Sequence, residues 1–506
     1  MRIAVLALAL AGCGGPALTL DAHGVGDVSD APGFSPESPG ARLLRVELTL
    51  RNDTDRTLPL SAGLFRLDPS EGPSVVGAPI SAALERSCVP TGAVLPPGRA
   101  LDCGVAFEVP AGFVPAEITY AVDSLSASSA VPSSSADAGV DDAGPLPATN
   151  ALDLLFVVDD SSSMREEQES LAAALPRLVQ VLTTGDFELD GRTTGPDDFP
   201  PVSSVHVGVV TVDMGSGGHE VPTCALPDFG EDGVLRSEGP EGETGCATTF
   251  PDFLTYAPPG GLTASELARD AACLARVGTR GCGFEQQLEA ALKALSPARP
   301  TDWTADGFEP PTFHLGSAGH GADRNAGFVR EGSALAIVLL TDEEDCSAAD
   351  PDLFDPANPD YAGTDLNLRC FEHGESALHP IARYVDGLAQ LRRRPERLVF
   401  VPIVGIPEEL ASRAGAEPLW QALASEDERE RHPALVERVD AEMPFRLVPS
   451  CEVPGRGVAF PPVRINQVAR DLAARGAQVG VQSICQADLT TATEDLVVRI
   501  RRALGR

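Results

Sequence analysis

The chain has 506 residues, of which 43% are hydrophobic, and a formal net charge of −36 from 74 acidic and 38 basic side chains. A chain of this length and hydrophobic content is expected to form about two or three domains with apolar cores. The acidity argues against nucleic acid as a partner, because nucleic-acid binding needs a basic surface, and against charge-driven binding to anionic membranes. Solubility is the simplest role for so many carboxylates.

The N-terminal residues have the pattern of an export signal. A charged start precedes the apolar stretch Ile3–Leu10, which is too short to span a bilayer as a mature helix. Residues 10–13 read LAGC and resemble the lipobox of bacterial lipoproteins. The resemblance implies a signal peptide over residues 1–12, a lipid on Cys13 as the only membrane contact, and export to the cell envelope, with the outer membrane as the destination. A plain signal peptide with an incidental cysteine is the alternative.

Three segments precede the main domain. Residues 13–40 are rich in Gly, Asp, Pro and Ser and are predicted to be a tether. Residues 41–122 contain short alternating runs, which predict a small all-β sandwich. Its LTLRNDTDRTL and GVAFEVP stretches resemble immunoglobulin-like accessory domains of bacterial lipoproteins, which implies a spacer or binding module. Residues 123–149 are rich in Ser, Ala and Pro and are predicted to be a linker.

A buried strand followed by a polar loop begins the main domain. Leu152 and Leu154–Val158 form a short apolar run of strand length, and Asp159, Ser161 and Ser163 follow it in the order D-x-S-x-S. Open α/β sheets bind ligands at the carboxyl ends of their strands. One carboxylate and two hydroxyls are hard oxygen donors that suit a small cation such as Mg²⁺. The competing interpretation is a helix N-cap, which Ser and Asp also favour.

A second apolar run, Ala334–Leu340, is followed by Asp342. A strand, D-x-S-x-S, a helix and this later aspartate together resemble the metal-ion-dependent adhesion site of von Willebrand factor type A (VWA) domains, over residues 150–506. The resemblance implies a divalent cation, with Mg²⁺ first and Mn²⁺ or Ca²⁺ as alternatives. Its ligands would be Asp159, Ser161, Ser163 and Asp342.

The family pattern also has a threonine on another loop, and here the sequence departs from it. Thr279 lies in the loop of residues 278–283 that precedes a predicted helix. Cys282 or Gly283 falls nearer the expected position, counted back from that helix. Two readings stay open: the cation has one protein ligand fewer, or Thr279 reaches in.

Strands and helices alternate from residue 150 onwards, which predicts an α/β fold with a doubly wound, mostly parallel sheet, as in VWA and Rossmann-like folds. Helices are predicted over Arg165–Leu182, Ala264–Val277, Phe284–Leu295, His379–Arg393, Val463–Arg475 and Leu489–Leu504. Insertions into a minimal VWA domain are expected near residues 215–261, 300–330, 346–370 and 407–449. The first insertion either forms the rim of a ligand-binding surface or is a disulfide-stabilised loop without function.

The cysteines agree with an exported protein. There are 11 in the chain, and assigning Cys13 to a lipid leaves an even number for disulfides. Zinc binding is disfavoured because neither C-x-x-C nor H-E-x-x-H occurs. Pairing of sequence neighbours is the simplest framework, although sequence does not prove connectivity. The predicted bonds are Cys88–Cys103, Cys224–Cys246, Cys273–Cys282, Cys346–Cys370 and Cys451–Cys485.

These features predict a surface-tethered binding protein whose cation is completed by a carboxylate of a protein or other ligand. No G-x-S-x-G, Walker loop or paired Ser/His motif is present, so an enzyme is not expected. The first alternative is a structural envelope protein whose metal site stabilises the fold or is degenerate. A metal-assisted hydrolase ranks last, because only Glu343 or Glu344 offers a general base.

Overall fold

The computed structural model describes ten ranges of the chain. The chain divides into two compact units, Met1–Pro145 and Leu146–Arg506, so that the boundary falls inside the predicted linker. The predicted signal peptide and the lipidation residue Cys13 lie outside the described residues. Among the described helices, none is both long and apolar enough to cross a membrane. The described ranges are 18–27, 41–54, 56–69, 74–78, 87–89, 94–110, 113–122, 125–130, 148–454 and 457–506.

The first unit contains antiparallel strands. Its strands are β1 (Leu18–Asp27), β2 (Ala41–Asn52), β3 (Leu58–Pro59), β4 (Phe65–Pro69), β5 (Val75–Val76), β6 (Val94–Leu95), β7 (Arg99–Pro110), β8 (Pro115–Val122) and β9 (Leu125–Ala130). They pair in the orders β1-β2-β7, β5-β4-β8-β9 and β3-β6. Val46, Leu48 and Leu50 are fully buried. Since side chains alternate between the faces of a strand, this spacing places them on one face of β2.

Two segments expected to lack structure form strands, so the predictions of a tether over 13–40 and a linker over 123–149 are wrong in part. Strand β1 pairs with β2 from Leu18 opposite Asn52 onwards, and its Leu20 and Val25 enter the core. Strand β9 pairs with β8 although it reads LSASSA. Sheet hydrogen bonds come from the main chain, so a Ser-rich segment can add to an existing edge.

The second unit is built on an eight-stranded, mostly parallel sheet, which gives it an α/β fold. The strand order is β13-β12-β11-β10-β14-β15-β18, with β19 beside β15, and only the pairings of β12 with β11 and with β13 are antiparallel. These strands are β10 (Ala151–Val158), β11 (Ser204–Thr211), β12 (Leu254–Ala257), β13 (Gly260–Gly261), β14 (Ala334–Leu340), β15 (Leu398–Val404), β18 (Gln478–Val479) and β19 (Gln482–Ser483), and the hairpin β16 (Cys451–Val453) and β17 (Gly457–Ala459) stands apart. Of the predicted insertions, only 215–261 contributes strands to this sheet, within the described residues.

Helices cover both faces of this sheet. They are α1 (Arg165–Thr184), α2 (Ala264–Leu274), α3 (Gln287–Leu295), α4 (Arg369–Glu372), α5 (Gly374–Ala377), α6 (Ile381–Ala389), α7 (Trp420–Ala424), α8 (Val463–Ala474) and α9 (Thr490–Ala503). Leu154 and Phe156 of β10 pack in a cluster with α1, α2 and α9, whereas Leu155 and Val157 pack in a second cluster with α3, α6 and α8. A strand buried on both faces reads as a continuous apolar run, which β10 shows from Leu154 to Val158.

Helix α3 begins three residues later than predicted, at Gln287 instead of Phe284. The main chain before it is held by other segments: the Gln286 N–H donates to the Val212 carbonyl (3.2 Å) and the Glu285 carbonyl accepts from Cys346 (2.8 Å). The helix start is satisfied by the Asp345 carboxylate, which accepts from the Leu288 N–H at 3.0 Å. This arrangement fixes Glu285 outside the helix.

Two of the predicted disulfides are wrong. Cys224 bonds to Cys282, and Cys246 bonds to Cys273, instead of the predicted Cys224–Cys246 and Cys273–Cys282. Neighbour pairing assumes that each loop closes on itself. Here two disulfides join the 215–261 insertion to the segment that runs from α2 to the loop before α3, residues 278–286, which we call the third loop. The bonds Cys88–Cys103, Cys346–Cys370 and Cys451–Cys485 join sequence neighbours.

Candidate metal site

Asp159 is fully buried where β10 ends. Its N–H donates to the Leu340 carbonyl at 2.9 Å, which continues the pairing of β10 with β14 by one residue. Its carboxylate accepts from the Ser161 N–H (2.8 Å) and from the Thr341 hydroxyl (2.7 Å). These two bonds hold the carboxylate in one orientation, while each oxygen keeps a further lone pair for another partner.

The two serines of the D-x-S-x-S loop lie side by side. The hydroxyl oxygens of Ser161 and Ser163 are 3.2 Å apart, with Ser161 buried and Ser163 exposed. In an octahedral Mg²⁺ site with bonds of 2.0–2.1 Å, neighbouring ligand oxygens are about 2.9 Å apart. The observed separation is therefore close to what two adjacent ligands of one small cation require.

Asp342 follows β14 and joins the same group. It is 6% exposed, and its Oδ1 has no hydrogen-bond partner among the described residues. A hydrogen bond from Ser163 connects its carboxylate to the D-x-S-x-S loop. Burial first, and then the nearby charge of Asp159, raise the pKa of Asp342 to about 8. A buried carboxylate oxygen without a donor is costly unless a proton or a cation completes it.

The third loop lies against the D-x-S-x-S loop. The Gly281 N–H donates to the Asp160 carbonyl (2.8 Å), and the Gln168 amide donates to the carbonyls of Asp159 (2.8 Å) and Gly278 (2.7 Å). A Cβ on Gly281 would lie 2.3 Å from the Asp160 carboxylate, so only glycine permits this approach. Thr279 is half-buried and lines the same cavity as Ser161 and Ser163. Thr279 therefore faces the same cavity as the two serines, and both readings of its role stay open.

Sequence reasoning missed Glu285 as a member of this group and noted Glu343 only as a conceivable base. The pKa of Glu285 is raised by burial first and then by the charges of Asp159, Glu343 and Asp342. The pKa of Glu343 is raised by burial, then by Asp342 and Asp159. The clue in the sequence is position: each glutamate directly adjoins a predicted ligand loop. We call Asp159, Glu285, Asp342 and Glu343 the site acids.

The main causes of the raised pKa values of the site acids are burial and neighbouring carboxylates, and no described arginine or lysine is among these main causes. The pKa of Asp159 is also raised by burial, against hydrogen bonds that lower it. Buried carboxylates that repel one another and lack a cationic side chain cannot all be ionised. They therefore carry protons in the cation-free protein, or a cation neutralises them.

Glu344 and Asp345 have a different task, although they continue the acidic run. Glu344 accepts from the main-chain N–H groups of Arg464 and Asp345, each at 2.7 Å. Asp345 is fully buried, pairs with the Arg464 guanidinium (3.1 Å) and satisfies the start of α3. These two side chains are occupied in holding α3 and α8, so Glu343 is the residue of the run that belongs to the site.

Within the described residues, no group of three or more His, Cys, Asp or Glu side chains is placed to hold a metal ion by itself. A cation here would thus depend on the serine hydroxyls as well as on the carboxylates. The unpaired Asp342 oxygen, the adjacent serine oxygens and the hard-oxygen donor set fit Mg²⁺. No protein-family model and no curated protein was found to match this chain.

Proposed function

We propose that this protein binds a divalent cation, Mg²⁺ in the first place, and through it a carboxylate of a protein partner. Asp159, Ser161, Ser163 and Asp342 would hold the cation, directly or through water. The buried, unpaired Oδ1 of Asp342 beside Ser163 is the observation that carries the proposal. When bound, the cation supplies an open coordination position for the partner's carboxylate.

The architecture supports a VWA-like domain. The candidate ligands follow β10 and β14, at the carboxyl ends of neighbouring parallel strands, where open α/β sheets bind ligands. Helices on both faces agree with a doubly wound sheet. For the first unit, antiparallel strands around one core agree with a small immunoglobulin-like sandwich that acts as a spacer.

The third loop offers two ligands of different kinds. Thr279 is the candidate from the family pattern, whereas Glu285 is buried and electrostatically coupled to Asp159 and Asp342. A carboxylate contributes charge as well as an oxygen, and the site acids lack a cationic side chain among the described residues. We therefore place Glu285 nearer the cation and Thr279 at the edge of the site.

An acidic partner is consistent with the charge of this protein. At a net charge of −36, the protein repels acidic surfaces unless a cation lies between them. Lipid attachment at Cys13 would hold the protein at the bacterial cell envelope, and a nucleic-acid partner is not proposed. We propose binding as the role, and a metal-assisted hydrolase ranks last: the Arg464 and Asp345 N–H groups engage Glu344, so Glu343 alone of the two glutamates could act as a base.

Calorimetric titration of the full chain with Mg²⁺, Mn²⁺ and Ca²⁺ tests the cation site. We expect a dissociation constant between about micromolar and millimolar for the wild type, as in other carboxylate sites. Asp342→Asn should weaken binding at least about tenfold, since the substitution removes a ligand charge worth ~1.4 kcal/mol or more. Asp323→Asn is the matched control, because Asp323 is exposed and outside the site. Unchanged binding in Asp342→Asn, or no binding to the wild type, contradicts the proposal.

A partner screen separates binding from a purely structural cation. Acidic peptides should bind the cation-loaded protein and dissociate when EDTA is added. If the cation binds and stabilises the fold but no carboxylate ligand binds in its presence, the structural alternative is favoured instead.

A further inference from the structure

A cavity of about 710 Å³ opens directly beside the candidate cation ligands. Ser161 and Ser163 form part of its wall, together with Glu285 and Glu343. Its volume falls within the range of roughly 300–1,000 Å³ that is usual for ligand pockets. The cavity therefore has room for more than the single carboxylate that a cation would bind.

Aromatic and aliphatic side chains form another part of the wall. Phe284, Phe371, Phe445, Leu447 and Phe460 line it. They come from the third loop and from segments within or beside the predicted insertions, so this wall belongs to the present chain and not to a minimal VWA domain. Phe445 is 50% exposed, so it lies at the solvent-accessible edge of the cavity.

Two of these aromatic residues are fixed relative to the site acids. The Phe460 N–H donates to the Asp342 carbonyl at 2.8 Å. Phe284 directly precedes Glu285, and its ring packs on Phe354 with centroids 4.4 Å apart. Consecutive Cα atoms are about 3.8 Å apart. The aromatic region therefore adjoins the site acids along the chain at Phe284 and through the main chain at Phe460, and neighbouring residues of one short peptide can occupy both regions.

The charge of the wall restricts the occupant further. Glu285, Glu343, Glu344 and Glu437 line the cavity together with two arginines, Arg280 and Arg446. Arg446 is paired with Asp440 (3.3 Å), and Arg280 is exposed, 3.9 Å from Glu241. Carboxylates therefore outnumber cationic side chains in the wall, and a bound cation is the strongest attraction for an anion there. A second charged group on the occupant would not be stabilised among the aromatic side chains. The occupant that fits has one carboxylate for the cation and an apolar group beside it.

Resting on the proposed function, we propose that this cavity binds an acidic peptide segment in which Asp or Glu is directly followed by an aromatic or large aliphatic side chain. The carboxylate completes the cation next to Ser161 and Ser163. The apolar side chain packs among Phe371, Phe445 and Phe460. The solvent-exposed edge at Phe445 admits an extended chain.

Fluorescence anisotropy with labelled peptides tests this inference on the full chain in saturating Mg²⁺. The probes are blocked tetrapeptides of sequence Ala-Asp-Phe-Ala, Ala-Asp-Ala-Ala and Ala-Asn-Phe-Ala. Ala-Asp-Phe-Ala should bind about tenfold more tightly than Ala-Asp-Ala-Ala, which corresponds to burial of a phenyl ring. Ala-Asn-Phe-Ala should bind no better than background, and EDTA should abolish binding of the other two.

Variants of the wall separate this inference from the cation site. Phe445→Ala and Phe371→Ala should remove most of the preference for Phe over Ala while leaving the Mg²⁺ dissociation constant unchanged. Leu419→Ala is the matched control, because Leu419 is 55% exposed and outside the cavity wall. Equal affinity for the two Asp peptides, with Mg²⁺ bound normally, overturns the cavity inference alone. Absence of Mg²⁺ binding overturns the proposed function instead.

Discussion

Two buried aspartates on one strand show how differently the two ends of the sheet are built. Asp153 and Asp159 are both fully buried in or directly after β10. Asp153, near the amino end, pairs with Arg330 (2.6 Å) and Arg392 (3.5 Å) and accepts from the Ser333 hydroxyl. Asp159, at the carboxyl end, accepts from the Ser161 N–H and the Thr341 hydroxyl, and its charged neighbours include Asp160 and the other site acids.

The comparison separates a structural carboxylate from a functional one. At the amino end the protein supplies its own counter-charges, so the ion pairs are complete within the fold. At the carboxyl end the site acids remain without a described cationic partner. Buried charge that the chain does not neutralise indicates a site for something from outside, which here is a cation.

The largest loss of stability is expected from breaking the ion pairs of Asp153 at the amino end of the sheet. Asp153→Asn leaves the Arg392 guanidinium buried without its carboxylate, and removing one partner of a buried pair typically costs about 3–5 kcal/mol. The loss should be the same with and without Mg²⁺. Urea unfolding of the full chain, monitored by a probe in the second unit, measures this loss of stability. A loss below about 1 kcal/mol would show that the amino end is not held by these pairs.

The matched substitution at the other end should behave differently. In EDTA, Asp159→Asn removes a buried charge that no described cationic side chain balances, so we expect it to cost less than about 1 kcal/mol. An equal loss in Asp153→Asn and Asp159→Asn would erase the distinction between the two ends.

A cation should stabilise only through the carboxyl end. At a Mg²⁺ concentration of 100 times the dissociation constant, binding to the folded state adds ~2.7 kcal/mol to the free energy of unfolding. Asp342→Asn, which should bind at least about tenfold more weakly, should reduce this gain to ~1.4 kcal/mol or less, whereas Asp153→Asn should keep it on a lower baseline. Thermal unfolding at constant ionic strength distinguishes the two. A gain that survives undiminished in Asp342→Asn would place the cation elsewhere.

The pH dependence should differ with and without the cation. Burial raises the pKa of Asp342 to about 8, and an unfolded Asp titrates near ~3.9, so between these values the cation-free folded state holds a proton that the unfolded state has lost. Rising pH therefore lowers the free energy of unfolding, by up to ~1.4 kcal/mol per pH unit for one such group. Saturating Mg²⁺ should flatten this slope. Urea unfolding from pH 5.5 to 8.5 provides the measurement, and a stability that rises with pH in EDTA would contradict the assignment.

The smallest effect concerns the third loop. Glu285→Gln should raise the Mg²⁺ dissociation constant about tenfold, because it removes charge. Thr279→Ala should change it less than about threefold, since water can replace a hydroxyl at the edge of the site. Calorimetry on both variants decides between them. A larger effect of Thr279→Ala than of Glu285→Gln would indicate that Thr279, as in the family pattern, and not Glu285 is the cation ligand from the third loop.

Some of this could be predicted from the sequence because it depends on neighbouring residues. The apolar runs before Asp159 and Asp342 predict parallel strands, and parallel strands place both residues at one edge of the sheet. The pairing of Asp153 with Arg330 and Arg392 could not be predicted, because it joins residues more than 170 positions apart.

Other features escaped prediction for similar reasons. Glu285 was missed because α3 was expected to begin at Phe284, and only contacts with Val212 and Cys346 keep that segment out of the helix. The two exchanged disulfides depend on how the 215–261 insertion packs, which local spacing does not encode. Strand β9 escaped notice because Ser-rich composition says little about main-chain pairing.

Anomalous X-ray scattering from crystals of the full chain grown with Mn²⁺ tests the central claim most directly, because it locates the cation. We predict a peak within coordination distance, about 2.0–2.3 Å, of the Ser161 and Ser163 hydroxyls or of a carboxylate oxygen of Asp342. No peak at the carboxyl end of β10 and β14, or a peak only at acids elsewhere on the surface, would contradict the account.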